Sequence, residues 1–284
     1  MGDQDIAAGK KPDISIVVPT LNSSLTLPRL LRSIRLCSSP ASLPEVIVVD
    51  SHSCDGTIGL AEREGAIVIE IVGDRAIARN VGAEFSSSDT LMFLDADMEL
   101  TPGLLEVCQY AIQTFEALCI REVGVGGGIW AQAREVERAG CFRSLTFEAA
   151  RCFRKSTFLR LGGYDSRVTG LEDPELQARL VESGATIGWV NTPLIHHEEG
   201  VTLRSYLRKR AFYGQADVAM KRMHPEWWRK MTSPTARMRA VLYGLQTSCD
   251  ARRLYLLPLL ILLRFAELIL RASRLGIRTT RESA

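Results

Sequence analysis

Leu91-Met92-Phe93-Leu94-Asp95-Ala96-Asp97-Met98-Glu99-Leu100 is the stretch on which the fold turns, and Pro102 follows it. A continuous apolar run ending in two aspartates predicts a strand buried on both faces of a parallel sheet. Ligands of such sheets bind beyond the carboxyl ends of the strands, where Asp95 and Asp97 fall. Their alternate spacing points both side chains the same way. Two carboxylates so placed repel each other and lose hydration unless a cation or a basic group answers them. Mg²⁺ or Mn²⁺ suits the position, because these ions accept oxygen ligands and leave room for substrate phosphates. The competing reading ends the strand with one aspartate and caps the helix that Pro102 opens with the other.

The flanking sequence extends the same pattern. Strands are expected at 14–19, 45–50 and 66–72, alternating with helices at 25–36, 57–64 and 76–85. This order implies a doubly wound, mostly parallel α/β sheet with right-handed crossovers. The turn after the first strand, Pro19-Thr20-Leu21-Asn22-Ser23, has no glycine, so it is not a dinucleotide-binding turn, and no P-loop occurs. Further on, a strand is expected from Val123 to Trp130, a mobile loop over 131–145 and another strand from Phe147 to Arg154. Pro174 opens a helix with Asp173 at its N-cap. A last strand, Thr186 to Ile195, runs into His196-His197-Glu198-Glu199.

Six segments taken together carry a resemblance. Ile16-Val17-Val18-Pro19-Thr20-Leu21-Asn22, Val48 to Thr57, Ala78-Arg79-Asn80-Val81-Gly82 and Leu94-Asp95-Ala96-Asp97 stand in that order. Leu161-Gly162-Gly163-Tyr164-Asp165 and Glu172 to Leu180 follow. Their order and spacing resemble the family 2 glycosyltransferases with the GT-A fold, over about residues 13–215. The resemblance implies a catalytic domain at 13–200, with a nucleotide-sugar half to about 115 and an acceptor half from 116. It also implies an inverting enzyme that takes its sugar from a UDP- or GDP-sugar. Asp97 would then hold Mn²⁺ or Mg²⁺ against the diphosphate, with His196 completing the site in preference to His197. Asp95 would lie nearer the ribose, and Asp173 would be the base, with Glu172 close behind. Pro19, Thr20, Asn22, Asp50, Asp55 and Arg79 fall on the donor side.

Local chemistry leaves several of these positions with a second reading. Asp50 can accept from a nucleobase N–H or a ribose hydroxyl, or cap the turn after its strand. Asp55, in Asp55-Gly56-Thr57, is also good helix-start chemistry. Arg79 can meet a base or phosphates, or simply be solvated. Ser51 and His52 stand where the family commonly has Asp and Gly, which leaves the base open. A glycosyltransferase-like binding subunit without catalysis, or a nucleotidyltransferase, would share the sheet and its metal logic.

The 284 residues carry a net charge of +2, with 46% apolar and 24% charged residues, ordinary for a globular chain. The net charge hides an asymmetry: residues 1–199 hold 18 Lys/Arg against 28 Asp/Glu, and residues 200–284 hold 17 against 5. The seven cysteines are scattered without a C-x-x-C, which favours reduced thiols over a disulfide framework or a zinc site. No apolar leader is expected before residue 13. The tail, 201–284, reads as basic and helical, with Leu203 to Met223 as one helix and Trp227-Trp228-Arg229-Lys230 suited to a headgroup interface. The apolar run Leu254 to Leu270 is short for a bilayer span and is interrupted by Pro258, Arg264 and Glu267. The tail is therefore expected to bind an anionic membrane surface at the cytosolic face, as a peripheral or monotopic device. The alternative is a helix packed on the body. No nucleic-acid recognition motif accompanies the basic residues. A lipid-linked saccharide, another glycan or a polyprenyl phosphate would suit as acceptor.

Overall fold

The computed structural model describes residues 13–38, 43–200, 202–214, 216–247 and 255–263. Its strands are β1 (Ser15–Thr20), β2 (Glu45–Asp50), β3 (Ile67–Glu70), β4 (Thr90–Phe93), β5 (Met98–Leu100), β6 (Ala117–Val125), β7 (Cys152–Arg154) and β8 (Ile187–His197). Helices α1 (Leu27–Leu36), α2 (Thr57–Arg63), α3 (Arg75–Phe85), α4 (Leu104–Ala111), α5 (Gly128–Cys141), α6 (Lys155–Arg160) and α7 (Glu172–Glu182) connect them. After β8 come α8 (Leu203–Tyr213), α9 (Asp217–Met223), α10 (Pro225–Thr232) and α11 (Pro234–Thr247), and residues 255–263 are also helical.

The strands form one sheet in the order β3-β2-β1-β4-β7-β6-β8-β5. The first four are parallel throughout. Beyond β4 the sheet is mixed: β7 runs antiparallel to both β4 and β6, β8 is parallel to β6, and β5 is antiparallel to β8. The expectation of a mostly parallel sheet thus holds for the first half only. Alternation along the buried strands divides the core between the two faces. Ile16, Val18 and Met92 meet Leu27, Leu30 and Leu104 of α1 and α4 on one face. Val17, Ile47 and Phe93 meet Ala78, Leu176 and Leu180 of α3 and α7 on the other. Each such fully buried aliphatic side chain contributes roughly 1.5–3 kcal/mol. Gly82 lets α3 lie directly on the sheet, since a Cβ there would come within 2.4 Å of Val17 Cγ1.

Several sequence expectations need correction. The strand expected at 123–130 starts earlier, at Ala117, and stops at Val125, and α5 occupies most of the span expected to be a mobile loop. The helical signal was weak because the inward stripe of α5 is Ala133, Val136, Glu137 and Gly140, only one of them strongly apolar. The strand expected from Phe147 shrinks to Cys152–Arg154, because Phe147 and Glu148 fold back to bond the Ser144 carbonyl. Pro102 stands ahead of α4, which begins at Leu104 after Gly103 at φ 83°. The long helix expected over 203–223 is two, α8 and α9.

The helices after β8 pack on the body. Trp227 is buried among Val168, Leu171, Ala178, Met220 and Met231, so it is not the exposed interfacial aromatic expected from sequence. His224 bridges Glu182 (3.0 Å) and Glu175 (3.1 Å) of α7. Helix α11 lies against α5 at backbone distance: a Cβ on Gly140 would fall 1.9 Å from the Ala240 oxygen, and one on Gly244 would fall 2.1 Å from the Val136 oxygen. Leu256 and Leu260 join Val136 and Val241 in a further cluster. Among the described residues no helix is long and apolar enough to cross a membrane. Of the apolar run 254–270, residues 254 and 264–270 lie outside the described residues.

Candidate active site

The parallel half of the sheet ends in two stitched turns. Asp50, at the tip of β2, is fully buried and accepts from Thr20 Oγ1 (2.7 Å) and from the Ser53 backbone N–H and hydroxyl (2.6 Å each). Asn22, in the left-handed region at φ 51°, accepts from the Cys54 N–H at 2.9 Å. Pro19 is half-buried and pairs in register with Val49. Asp55 accepts from Thr57 Oγ1 and N and from Ser24 N, bonds that hold its carboxyl below the usual carboxylate range. Pro19, Thr20, Asn22, Asp50 and Asp55 therefore come together at one end of β1 and β2. Three of Asp50's acceptor positions are spent on the turn itself.

Across from these turns, α3 and the start of α7 converge on Asp95. Arg79 is completely buried, and its guanidinium forks between Asp95 Oδ1 (2.7 Å) and Asp173 Oδ1 (2.8 Å). It also lies 5.0 Å from the Tyr164 ring centroid, a cation–π contact. Arg75 donates to Glu172 Oε1 at 2.6 Å. Arg151 Nη1 stands 3.5 Å from Asp95 Oδ2 and 4.0 Å from Asp173 Oδ2. Burial alone would raise the Asp95 pKa, but Arg79, Arg151 and Arg75 outweigh it and hold Asp95 ionised far below the usual range. Three carboxylates facing three guanidiniums make a nearly neutral cluster, the condition under which buried charges are tolerated. Arg79 is thus neither solvated nor free for a nucleotide, because its cationic edge is committed to these two aspartates.

Asp173 is not an N-cap. Leu171 holds that position, and Glu172 and Asp173 form the first turn of α7, where the helix dipole favours carboxylates. Glu172 is 1% exposed and folds back onto Arg75 and the Gly170 N–H. Asp173 instead lines a cavity of about 290 Å³ bounded by β8, α5 and the helices after β8.

Asp97 and His196 meet at the antiparallel junction of β5 and β8, where His196 pairs with Met98. His196 Nε2 stands 3.3 Å from Asp97 Oδ2, and its Nδ1 stands 3.4 Å from Glu122 Oε2. Burial and Arg138 lower the His196 pKa, yet the bonds to Asp97 and Glu122 outweigh them and the net shift is upward. His197 points elsewhere and bonds Glu99 at 2.8 Å. Asp97 Oδ1 is buried with no hydrogen-bond partner, an acceptor at a place where a cation would satisfy it. One carboxylate oxygen and one imidazole nitrogen are ligands Mn²⁺ accepts. The chain fits such an ion as a partial site: among the described residues no group of three or more His, Cys, Asp or Glu is arranged around one point.

The sequence reading missed Arg75, Glu122, Arg138 and Arg151. Glu122 takes Arg138 and Arg151 as well as His196, and Arg138 continues to Glu198 at 2.7 Å. Arg134 and Arg138, one helical turn apart, both reach Glu198, and that spacing was the one available signal.

An Asp-x-Asp loop beside a parallel sheet half, an acidic helix start and a strand-end histidine thus sit together on a mixed α/β sheet of the GT-A type. The model of "Glycosyl transferase family 2" matches residues 15–162, and the chain belongs to that family. A pre-mycofactocin glycosyltransferase of Mycobacterium tuberculosis is 26% identical over 234 residues, covering 75% of this chain and 48% of that protein. The chain thus spans about half the length of that curated relative. An undecaprenyl-phosphate 4-deoxy-4-formamido-L-arabinose transferase of Pseudomonas paraeruginosa is 33% identical over 98 residues, 31% of this chain and 29% of that protein. A solved mannosyltransferase from Pyrobaculum calidifontis, in complex with GDP-Man and Mn²⁺, superposes with a TM-score of 0.62 at 19% identity. That superposition covers 93% of this chain and 87% of the mannosyltransferase, a likeness of fold.

Proposed function

We propose that the protein is an inverting, divalent-cation-dependent glycosyltransferase that moves a sugar from a UDP- or GDP-sugar to a lipid-linked acceptor at the cytosolic face of a membrane. The observation that carries this reading is the unpartnered Asp97 Oδ1 beside His196, at the sheet edge that also presents Asp95 and Asp173. Asp97 and His196 would hold Mn²⁺ or Mg²⁺, which when bound neutralises charge growing on the departing diphosphate. Glu122 keeps the His196 ring oriented through Nδ1, as outer partners of metal-bound histidines do.

The turns carrying Thr20, Asn22, Asp50 and Asp55 would receive the nucleoside, and residues 13–115 form this donor half. The acceptor half, 116–200, supplies Asp173. One Asp173 oxygen is held by Arg79, which leaves Oδ2 to accept the proton of an attacking hydroxyl. Attack from the side away from the diphosphate inverts the anomeric carbon. A polyprenyl phosphate is already ionised and would need no such base; a saccharide hydroxyl would.

The membrane component rests on charge and on surface chemistry. Residues 200–284 hold 17 basic against 5 acidic side chains, and Leu242, Tyr243, Tyr255 and Leu262 are exposed, as is Arg239. Exposed apolar and basic side chains in one segment suit peripheral binding to anionic lipid. A thermal-shift screen of nucleotide sugars with Mn²⁺, followed by turnover of the stabilising donor, tests the reading. The expected result is stabilisation by one class of nucleotide sugar and slow release of its diphosphate. No stabilisation by any UDP- or GDP-sugar would overturn it.

A further inference from the structure

The cavity beside Asp173 contains a carboxyl group that the reaction as described does not use. Glu148 lines it, 9% exposed, just before Arg151 in the chain, and no hydrogen bond or salt bridge among the described residues engages its side-chain oxygens. Its backbone is fixed at both ends, the N–H on the Ser144 carbonyl (2.8 Å) and the carbonyl near the Cys119 thiol. A buried carboxyl without a partner is costly unless something in the cavity answers it.

The cavity's cations are already committed. Arg75 faces Glu172, Arg134 and Arg138 face Glu198, Arg151 faces Glu122 and Asp95, and Arg237 donates to the Met231 carbonyl. An acceptor phosphate entering here, with the ion proposed at Asp97 and His196 already engaged by the donor diphosphate, would lose its hydration among carboxylates and would have to break an existing ion pair to gain a cation. A neutral hydroxyl group would meet acceptors and donors in place: the Asp173 oxygen that Arg79 does not hold, Arg151 Nη1, which lies near Asp95 but makes no hydrogen bond, and the carboxyl of Glu148. Phe147, Met231 and Val241 line the same cavity and offer an apolar surface to whatever carries that hydroxyl.

We propose that the acceptor is an uncharged, hydroxyl-bearing sugar on an apolar carrier, and that Glu148 determines its selection by hydrogen-bonding one of its hydroxyls beside Asp173. This rests on the glycosyltransferase reading above and narrows its acceptor. Burial, and beyond it the neighbouring Glu122 carboxylate, push the Glu148 carboxyl well above the usual carboxylate range, despite Arg138 and Arg151. A neutral carboxyl both donates and accepts, which matches a sugar hydroxyl and not a phosphate oxygen alone.

The test measures binding to the full chain in the presence of Mn²⁺ and GDP or UDP, with octyl glycosides of glucose and mannose as neutral probes and farnesyl phosphate as the anionic one. A glycoside should bind, and farnesyl phosphate should not displace it. Glu148→Ala should weaken glycoside binding by at least ~10-fold, the scale for a buried polar partner lost. Glu148→Gln, which keeps a donor and an acceptor, should stay within about threefold of wild type. Nucleoside diphosphate binding should be equal in all three proteins. Farnesyl phosphate occupying the cavity, binding of neither probe, or equal glycoside affinity in Glu148→Ala would overturn the proposal. Failure of wild-type protein to bind either nucleoside diphosphate would count against the parent reading alone, and the glycoside result would still decide this one.

Discussion

Asp173 and Glu172 are neighbours in sequence but differ in what they can do. Glu172 is enclosed by Arg75 and a backbone N–H, whereas Asp173 opens on the cavity. Asp173→Asn keeps the side-chain shape and the Arg79 contact through its carbonyl. It should leave nucleoside diphosphate affinity unchanged and slow transfer to a hydroxyl acceptor by at least ~10²-fold in steady-state turnover. Glu172→Gln should act mainly on stability, because it weakens a buried ion pair with Arg75. Near wild-type turnover in Asp173→Asn would remove it as the base. At this scale, the sequence exposed Asp95, Asp97 and Asp173 because short, ordered motifs surround them. Glu122 and Arg151 were hidden because their partners lie far away in the chain: Arg151 meets both Asp95 and Glu122, and no periodicity records that.

At the scale of elements, the helices after β8 are held by close backbone contact more than by a broad apolar stripe. Gly140→Ala would place a methyl 1.9 Å from the Ala240 carbonyl, which cannot yield without moving α11 off α5. The expected cost is about 1–3 kcal/mol of stability in urea unfolding, with faster hydrogen exchange in α11 than elsewhere. Unchanged exchange would mean that α11 is not seated there. His224→Ala should loosen α9 and α10 in the same assay, since it removes the bridge from Glu175 and Glu182. The parallel elements up to β4 were legible because buried valines and isoleucines run without interruption between turn residues. Helix α5 was not, because an inward face of Ala, Val, Glu and Gly carries almost no hydrophobic periodicity and is completed by ion pairs to Glu122 and Glu198.

At the scale of the molecule, an acidic sheet domain carries a basic, partly apolar flank formed by the later helices. The charge asymmetry was readable directly, but the fate of the tryptophans was not: Trp227 fills an intramolecular cluster that composition does not disclose. With that anchor spent, membrane attachment should depend chiefly on charge. The 284-residue chain should sediment with anionic liposomes at low ionic strength and be largely released at high salt, since exposed charges are screened beyond about a Debye length. Absence of sedimentation at low salt would remove the membrane from the proposal without touching the site. The site itself is tested most directly by calorimetric titration of GDP and UDP into wild type and Asp97→Ala, each with and without Mn²⁺. The expected result is Mn²⁺-dependent binding of one nucleotide to wild type and loss of that dependence in Asp97→Ala, with both proteins equally folded. Equal, Mn²⁺-independent affinity in the two proteins would contradict the assignment of Asp97 as the residue that couples cation and donor.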